Sequence, residues 1–199
     1  MQDILKNYHS EALQSFKNAK QMAERAMNQV SNEDFFALID PEANSIALIV
    51  KHLAGNLRSR WTEFLTTDGE KSDRNRDTEF EIIGDNRESL MEFWEAGWKI
   101  LFDNVEPLTT EDFSRKVTIR GEPHTVVEAI NRQLTHYSYH VGQIVLLAKH
   151  FQSADWKTLS IPKNKSAEFN KFLATQQEQG VEKMDRADAP LIFTGNDEK

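Results

Sequence analysis

The sequence has no cysteine, which excludes disulfides, thiolate metal ligands and a cysteine nucleophile, and suits a reducing compartment. Glycine and proline are scarce, at 8 and 5 among 199 residues, so turns should be few and the elements between them long. Basic charge is short as well: 24 lysines and arginines stand against 32 acids, a formal net charge of −8. Binding duplex nucleic acid requires basic side chains gathered on one face. The local group Arg58, Arg60, Arg74 and Arg76 is interspersed with Glu63, Asp68, Glu70, Asp73 and Asp77, so it makes no broad basic stripe and no nucleic-acid partner is expected. The longest apolar run, Ile46-Ala47-Leu48-Ile49-Val50, is far short of the ~20 residues that span a bilayer. Met1-Gln2-Asp3-Ile4-Leu5-Lys6 lacks the apolar core of a signal peptide. No membrane association is expected, and the expected location is cytoplasmic.

What is present is an ordinary globular composition, 39% hydrophobic and 28% charged, in a chain long enough for one sizeable core. Leu5, Ala12, Phe16, Ala19, Ala23, Ala26 and Val30 recur at three- and four-residue intervals, which predicts an amphipathic helix from Asp3 to about Asn28. Asp40-Pro41 reads as the start of a second helix, with aspartate as cap and proline in the first turn. That helix carries Ile46, Ile49, Val50, Leu53, Leu57 and Phe64 to about Leu65. A polar loop with an Asp68-Gly69 turn follows, from Thr66 to Gly84. Asp85-x-x-Glu88 reads as the cap of a third helix, whose buried face is Leu90, Phe93, Trp94, Gly97, Leu101 and Val105 and which Pro107 closes.

Lys116-Val117-Thr118-Ile119-Arg120 alternates and precedes Gly121, as in a small hairpin. Thr125-x-x-Glu128 is a capping box for a fourth helix running to about Phe151. The expected fold is all-α, a four-helix bundle over residues 1–170 with a small β-hairpin before the last long helix. Residues 171–199 read as a polar surface tail. Trp94, Trp98 and Phe102 give the third helix more apolar surface than one seam needs, and suggest a homodimer.

The histidines carry the chemical signal. His136 and His140 stand four apart in the fourth helix, so their rings project from one face, one turn apart. That spacing lets two imidazoles reach one ion at about 2.0–2.1 Å each. At ~100° per residue they share a sector with Ala129, Gln133, Gln143 and Leu147, beside the apolar face. His52, in the second helix, shares its sector with Ser45, Asn56 and Ser59. Two such stripes facing each other would form a polar pocket. A buried histidine is more often hydrogen-bonded to a carbonyl or carboxylate than bound to a metal, so spacing alone leaves both readings open. His9, His124 and His150 lie near helix ends or polar neighbours and read as surface groups.

Longer motifs add to this. His52-Leu53-Ala54-Gly55-Asn56, Ser59-Arg60-Trp61-Thr62-Glu63-Phe64-Leu65-Thr66-Thr67-Asp68-Gly69-Glu70 and Arg74-Asn75-Arg76-Asp77-Thr78-Glu79-Phe80 resemble the DUF1572 branch of the DinB-like superfamily. So do the run from Ala129 to Ile144, which contains His136-Tyr137-Ser138-Tyr139-His140, and Leu159-Ser160-Ile161-Pro162 with Lys165-Ser166. Asn164 departs from this pattern where glycine is frequent, but asparagine also tolerates a left-handed backbone. The resemblance covers about Asn44 to Asn170. It implies a four-helix bundle holding one divalent ion on His52, His136 and His140; three imidazoles suit zinc, nickel, iron or copper, with zinc or nickel first. Relatives in the superfamily include low-molecular-weight-thiol transferases and a thiol-dependent isomerase.

Three neutral imidazoles leave a tetrahedral ion one open position, from which it can acidify water, polarise a carbonyl or hold a thiolate. Without a cysteine here, a thiol would have to arrive as a cosubstrate. Asn56, Arg60, Arg76, Arg132, Tyr139 and Gln143 are the candidates for positioning a small-molecule substrate. The arginines are suited to a carboxylate, or else to solvated ion pairs. Tyr139 is a proton donor or, preferably, an interfacial aromatic. Two functions follow: a metal-dependent thiol transferase or hydrolase, or a non-catalytic, stress-related bundle in which the site only ties helices together.

Overall fold

A computed structural model describes residues 2–181, 184 and 188–195 of the chain. It is mostly helical, with one antiparallel hairpin. Four long helices, α1 (Gln2–Met27), α3 (Ile46–Trp61), α4 (Arg87–Val105) and α5 (Val126–Gln152), contribute to one apolar core. A short helix, α2 (Asn32–Phe36), bridges the first two of them. Within the core α3 lies chiefly on α4 and α1 on α5. No helix among the described residues is long and apolar enough to cross a membrane.

The helix starts show which local signal wins. α3 is capped by Ser45, whose side chain accepts from the Leu48 N–H, five residues beyond the expected Asp40. Asp-Pro suits a β-turn as well as a helix start, and here Asp40 closes a turn, accepting from the N–H groups of Glu42 and Ala43. α3 also stops at Trp61 rather than Leu65, because Glu63 turns to a positive φ of 48°. In α4 the capping box is Asn86 with Ser89; Asp85 instead accepts from Lys51 Nζ at 2.7 Å. The Thr125–Glu128 box of α5 is as expected, with both reciprocal hydrogen bonds made.

The hairpin pairs β1 (Lys116–Ile119) with β2 (Glu122–Thr125) across Arg120 and Gly121, both at positive φ, the conformation that a tight two-residue hairpin demands. Asp68 clasps it by accepting from the N–H groups of Arg120 and Gly121, each at 2.8 Å, and from Glu70 N–H at 2.7 Å. Burial works against ionisation of Asp68, but these backbone donors outweigh it and hold the carboxyl below its ordinary range. The segment between α3 and α4 is thereby stitched to the strands, with one turn of 3-10 helix at Asp77–Phe80.

The stretch read as a polar tail adds two helices. The first, α6 (Ser166–Glu178), begins just after Asn164, which has a left-handed φ of 67°. The second is α7 (Asp188–Gly195), and Phe169, Ala189 and Phe193 form a small apolar cluster between the two. The rest of that tail lies outside the described residues. Much of the aromatic surplus of α4 packs inside the molecule. Trp94 and Trp98 are fully buried, Trp98 lies 5.5 Å from the Tyr137 ring, and Phe102 stacks on Trp98. His9 is not a surface group either: it is half-buried, with Nε2 2.8 Å from the Val105 carbonyl at the end of α4.

Beneath the polar stripe of α3 runs a buried chain of hydrogen bonds. Trp61 Nε1 donates to the Tyr137 hydroxyl at 2.9 Å, which donates to Asn56 Oδ1 at 3.2 Å. Burial pushes ionisation of this phenol far above its ordinary value, so it serves as a neutral link between α3 and α5. Tyr137→Phe should therefore cost about 1–3 kcal/mol, because a buried indole N–H and amide oxygen lose their partner. Urea unfolding measures this; an unchanged midpoint and slope would mean that the link contributes nothing.

Candidate metal centre

His52 occupies the second turn of α3 and is 3% exposed, whereas His136 and His140 lie half-buried on consecutive turns of α5. One ligand atom from each of the three lies within 4.8 Å of the others. His52 Nε2 and His136 Nε2 are 3.3 Å apart, about the edge of a tetrahedron drawn with bonds of 2.0–2.1 Å.

In two of the three histidines a hydrogen bond on the outer nitrogen fixes which atom faces inward. His52 Nδ1 donates to Glu79 Oε2 at 2.9 Å, and His140 Nδ1 donates to Gln143 Oε1 at 2.8 Å. With Nδ1 as donor, a neutral ring keeps its lone pair on Nε2. His136 Nδ1 is buried without a partner, so its neutral ring either carries its proton on Nε2 and donates to His52 or turns a second lone pair into the position a cation would bridge. A second proton on the ring is disfavoured: burial first, then the charges of His140, His52, Arg60 and Arg74, push His136 down to about 3. His140 is lowered too, by burial and then by His52 and Arg76, with Gln143 offsetting part. His136 and His140 are thus held in the neutral form that binds metals, and the three rings fit a divalent ion.

Glu79 anchors the triad from behind. It is 6% exposed, and Arg74 grips it with Nε to Oε1 at 2.8 Å and Nη2 to Oε2 at 2.9 Å. Burial favours its neutral form, but the hydrogen bonds from His52 and Arg74 prevail and hold the carboxyl below its ordinary value. A carboxylate behind a ligating histidine fixes its tautomer and raises its basicity. Gly55 makes room for it, since a Cβ there would stand 2.3 Å from Glu79 Oε1. Phe80 stacks on the other side of His52, with ring centroids 4.9 Å apart.

A polar cavity of about 180 Å³ opens beside His52 and His136. Of the residues expected to position a substrate, Asn56, Arg60, Arg76 and Arg132 line it. Gln143 instead holds His140 and donates to the Tyr139 hydroxyl at 3.1 Å; neither of the two lines the cavity, and Tyr139 is exposed. Sequence reasoning missed Glu79, Arg74, Arg120 and Gln133. Gln133 was visible on the histidine face of α5, three residues before His136. Glu79 and Arg74 sit in a polar loop without periodicity, where only the folded path shows that they turn inward. A larger cavity, about 390 Å³, lies against α6 and α7, and its lining has no titratable side chain.

A family model described as a protein of unknown function, DUF1572, matches residues 3–165. No curated protein and no solved structure matches the chain.

Two outcomes follow from this geometry. Glu79→Gln should weaken zinc binding about 10–100-fold in competition with a chromophoric chelator, and equal affinity would remove Glu79 from the site. The metal-free protein should be fully stable above pH 6.5, the ordinary value for His136, and lose stability as pH falls from there toward about 3. The sign follows because the unfolded chain accepts a proton that the folded ring refuses. Urea midpoints across that range check it, with His136→Gln flattening the upper part of the slope; identical slopes in parent and variant would contradict it.

Proposed function

The chain belongs to the DUF1572 family, and on that premise we propose that it is a DinB-like four-helix-bundle enzyme that uses one divalent ion, zinc or nickel, to join an external thiol to a small electrophile. The observation that carries this reading is a three-histidine group beside an open polar cavity. Among the described residues the group contains no fourth protein ligand. A structural zinc site is normally closed by four protein ligands, and a catalytic one keeps a position free. When bound, a divalent ion would supply Lewis-acid chemistry and favour the thiolate form of an incoming thiol.

The lining favours a thiol over water as nucleophile. It contains histidine, asparagine, arginine and glutamine but no carboxylate, and the nearby Glu79 is committed to His52 and Arg74. Attack by water ordinarily enlists a protein base. A thiol, with a pKa of about 8.5, needs less help, and with no cysteine in the chain it must come as a cosubstrate. In the reaction a carbon–sulfur bond forms, the bond to the leaving group breaks and its electron pair departs with that group, and the thiol proton passes to solvent. Arg132 and Arg76, on the exposed side of the cavity, orient the reactants. Asn56 faces the same space with its oxygen already occupied by Tyr137.

The test is thiol consumption by zinc- or nickel-loaded protein with a panel of small thiols and electrophiles. Turnover in the parent, reduced by about two orders of magnitude or more in His136→Ala in line with loss of a metal's contribution, is the expected result. Ester or amide hydrolysis without thiol consumption would replace the transferase reading by a hydrolase. No turnover of any pair, together with a large fall in melting temperature on chelation, would make the site a non-catalytic tie between helices.

A further inference from the structure

Arg60 is buried without a proper counter-ion. Its side chain is 6% exposed, Nε and Nη1 have no hydrogen-bond partner, and its one ion pair is a 3.9 Å approach of Nη2 to Glu70. Buried charges persist when they are paired and hydrogen-bonded, so an unpaired guanidinium in a formed cavity marks a place for something else. Glu70 cannot supply the deficit, because it also serves Arg74 at 3.2 Å and Arg120 at 3.4 Å. Glu79 is taken by Arg74 and His52. Arg76 and Arg132 line the same cavity and make no ion pair among the described residues. Five guanidinium groups thus line the space, and the carboxylates of Glu70, Glu79 and Asp68 behind them are too few to balance them, leaving a surplus of positive charge beside the histidines.

Arg60 is also held in place. A Cβ on Gly69 would stand 2.7 Å from Arg60 Nη1, so the bare glycine backbone closes over the guanidinium. Gly69 is itself fixed to the hairpin through its N–H to the Thr118 carbonyl at 2.7 Å. Such a side chain is ordered before any ligand arrives, which lowers the cost of binding. A second residue on the wall of the same cavity also has a buried atom without a partner, Gln133 through Oε1.

We infer that this cavity is an oxyanion subsite, taking a carboxylate or phosphate group of a small molecule on Arg60, with Arg132 and Arg76 at its rim. Guanidinium groups match both oxyanions in geometry and charge, and a hydroxyl or amide N–H on the same ligand would satisfy Gln133. The volume, about 180 Å³, suits a compact group rather than a polymer, and the net charge of −8 disfavours a polyanionic surface partner. Identifying the anion as part of the substrate rests on the enzymatic reading above; the anion site itself does not.

The experiment is calorimetric titration of the full chain, chelator-treated and zinc-loaded, with inorganic phosphate and with malonate, in the parent and in Arg60→Gln and Arg132→Gln. Binding to the chelator-treated parent is expected, weakened at least tenfold in Arg60→Gln and severalfold in Arg132→Gln, and the tighter of the two probes identifies the oxyanion class. Arg132 is exposed, so its variant carries the test should Arg60→Gln fail to fold. Absence of binding to the chelator-treated parent, or binding that both variants leave unchanged, overturns the subsite. Binding that needs zinc and ignores the arginines also overturns it, while leaving the metal reading intact. Arginine-dependent binding in a protein that never takes up zinc supports the subsite and removes the metal reading.

Discussion

Glu79 is a buried carboxylate with three donors on it, and the site is organised around satisfying that charge. His52 Nδ1 and two nitrogens of Arg74 converge on its oxygens, and taking away any of them would leave part of an ion unsolvated in a low-dielectric interior. Meeting that demand has three consequences. It draws the segment between α3 and α4 down onto α3, it fixes the tautomer of His52, and it leaves the Nε2 lone pair facing His136. The glycine at position 55 allows the approach.

The arrangement also concentrates positive charge in an acidic protein. Along the chain Arg58, Arg60, Arg74 and Arg76 alternate with acids, which predicts no basic stripe. Alternation in sequence says nothing about direction in space. Arg58 pairs outward with Asp73, while Arg60, Arg74 and Arg76 reach a common cavity and meet Arg120 from the hairpin and Arg132 from α5. Imidazoles and surplus guanidinium groups share one small volume, which suits an anionic reactant brought beside a metal ion.

Periodicity made the long helices legible, since each buries one face and the pattern recurs every three or four residues. The hairpin showed itself through alternation and Gly121, and the start of α5 through its capping box. The triad was legible in part for the same reason: once α3 and α5 are helical, spacing puts His136 and His140 together and sets His52 on a polar stripe with Asn56, while their union as one ligand set came from the resemblance of the longer motifs. Where two local signals competed, only the folded chain decided between them, as with Asp40 and Ser45 for the cap of α3. Where no periodic signal existed, as for Glu79 and Arg74, burial depends on contacts across the fold and leaves no local trace. The tryptophans of α4 carry an ambiguous signal: apolar excess in one helix can be absorbed by an aromatic neighbour such as Tyr137 as readily as by a second subunit.

The account rests on a cation between the three imidazoles, so the most direct measurement is metal content by elemental analysis. The protein would be purified without chelators or a histidine tag, beside His136→Ala prepared in the same way. About one equivalent of a divalent metal in the parent and little in the variant is the predicted result, as expected for a single three-histidine site. No metal in either protein, even after incubation with zinc or nickel, would contradict the account and leave the histidines as a polar cluster in the core.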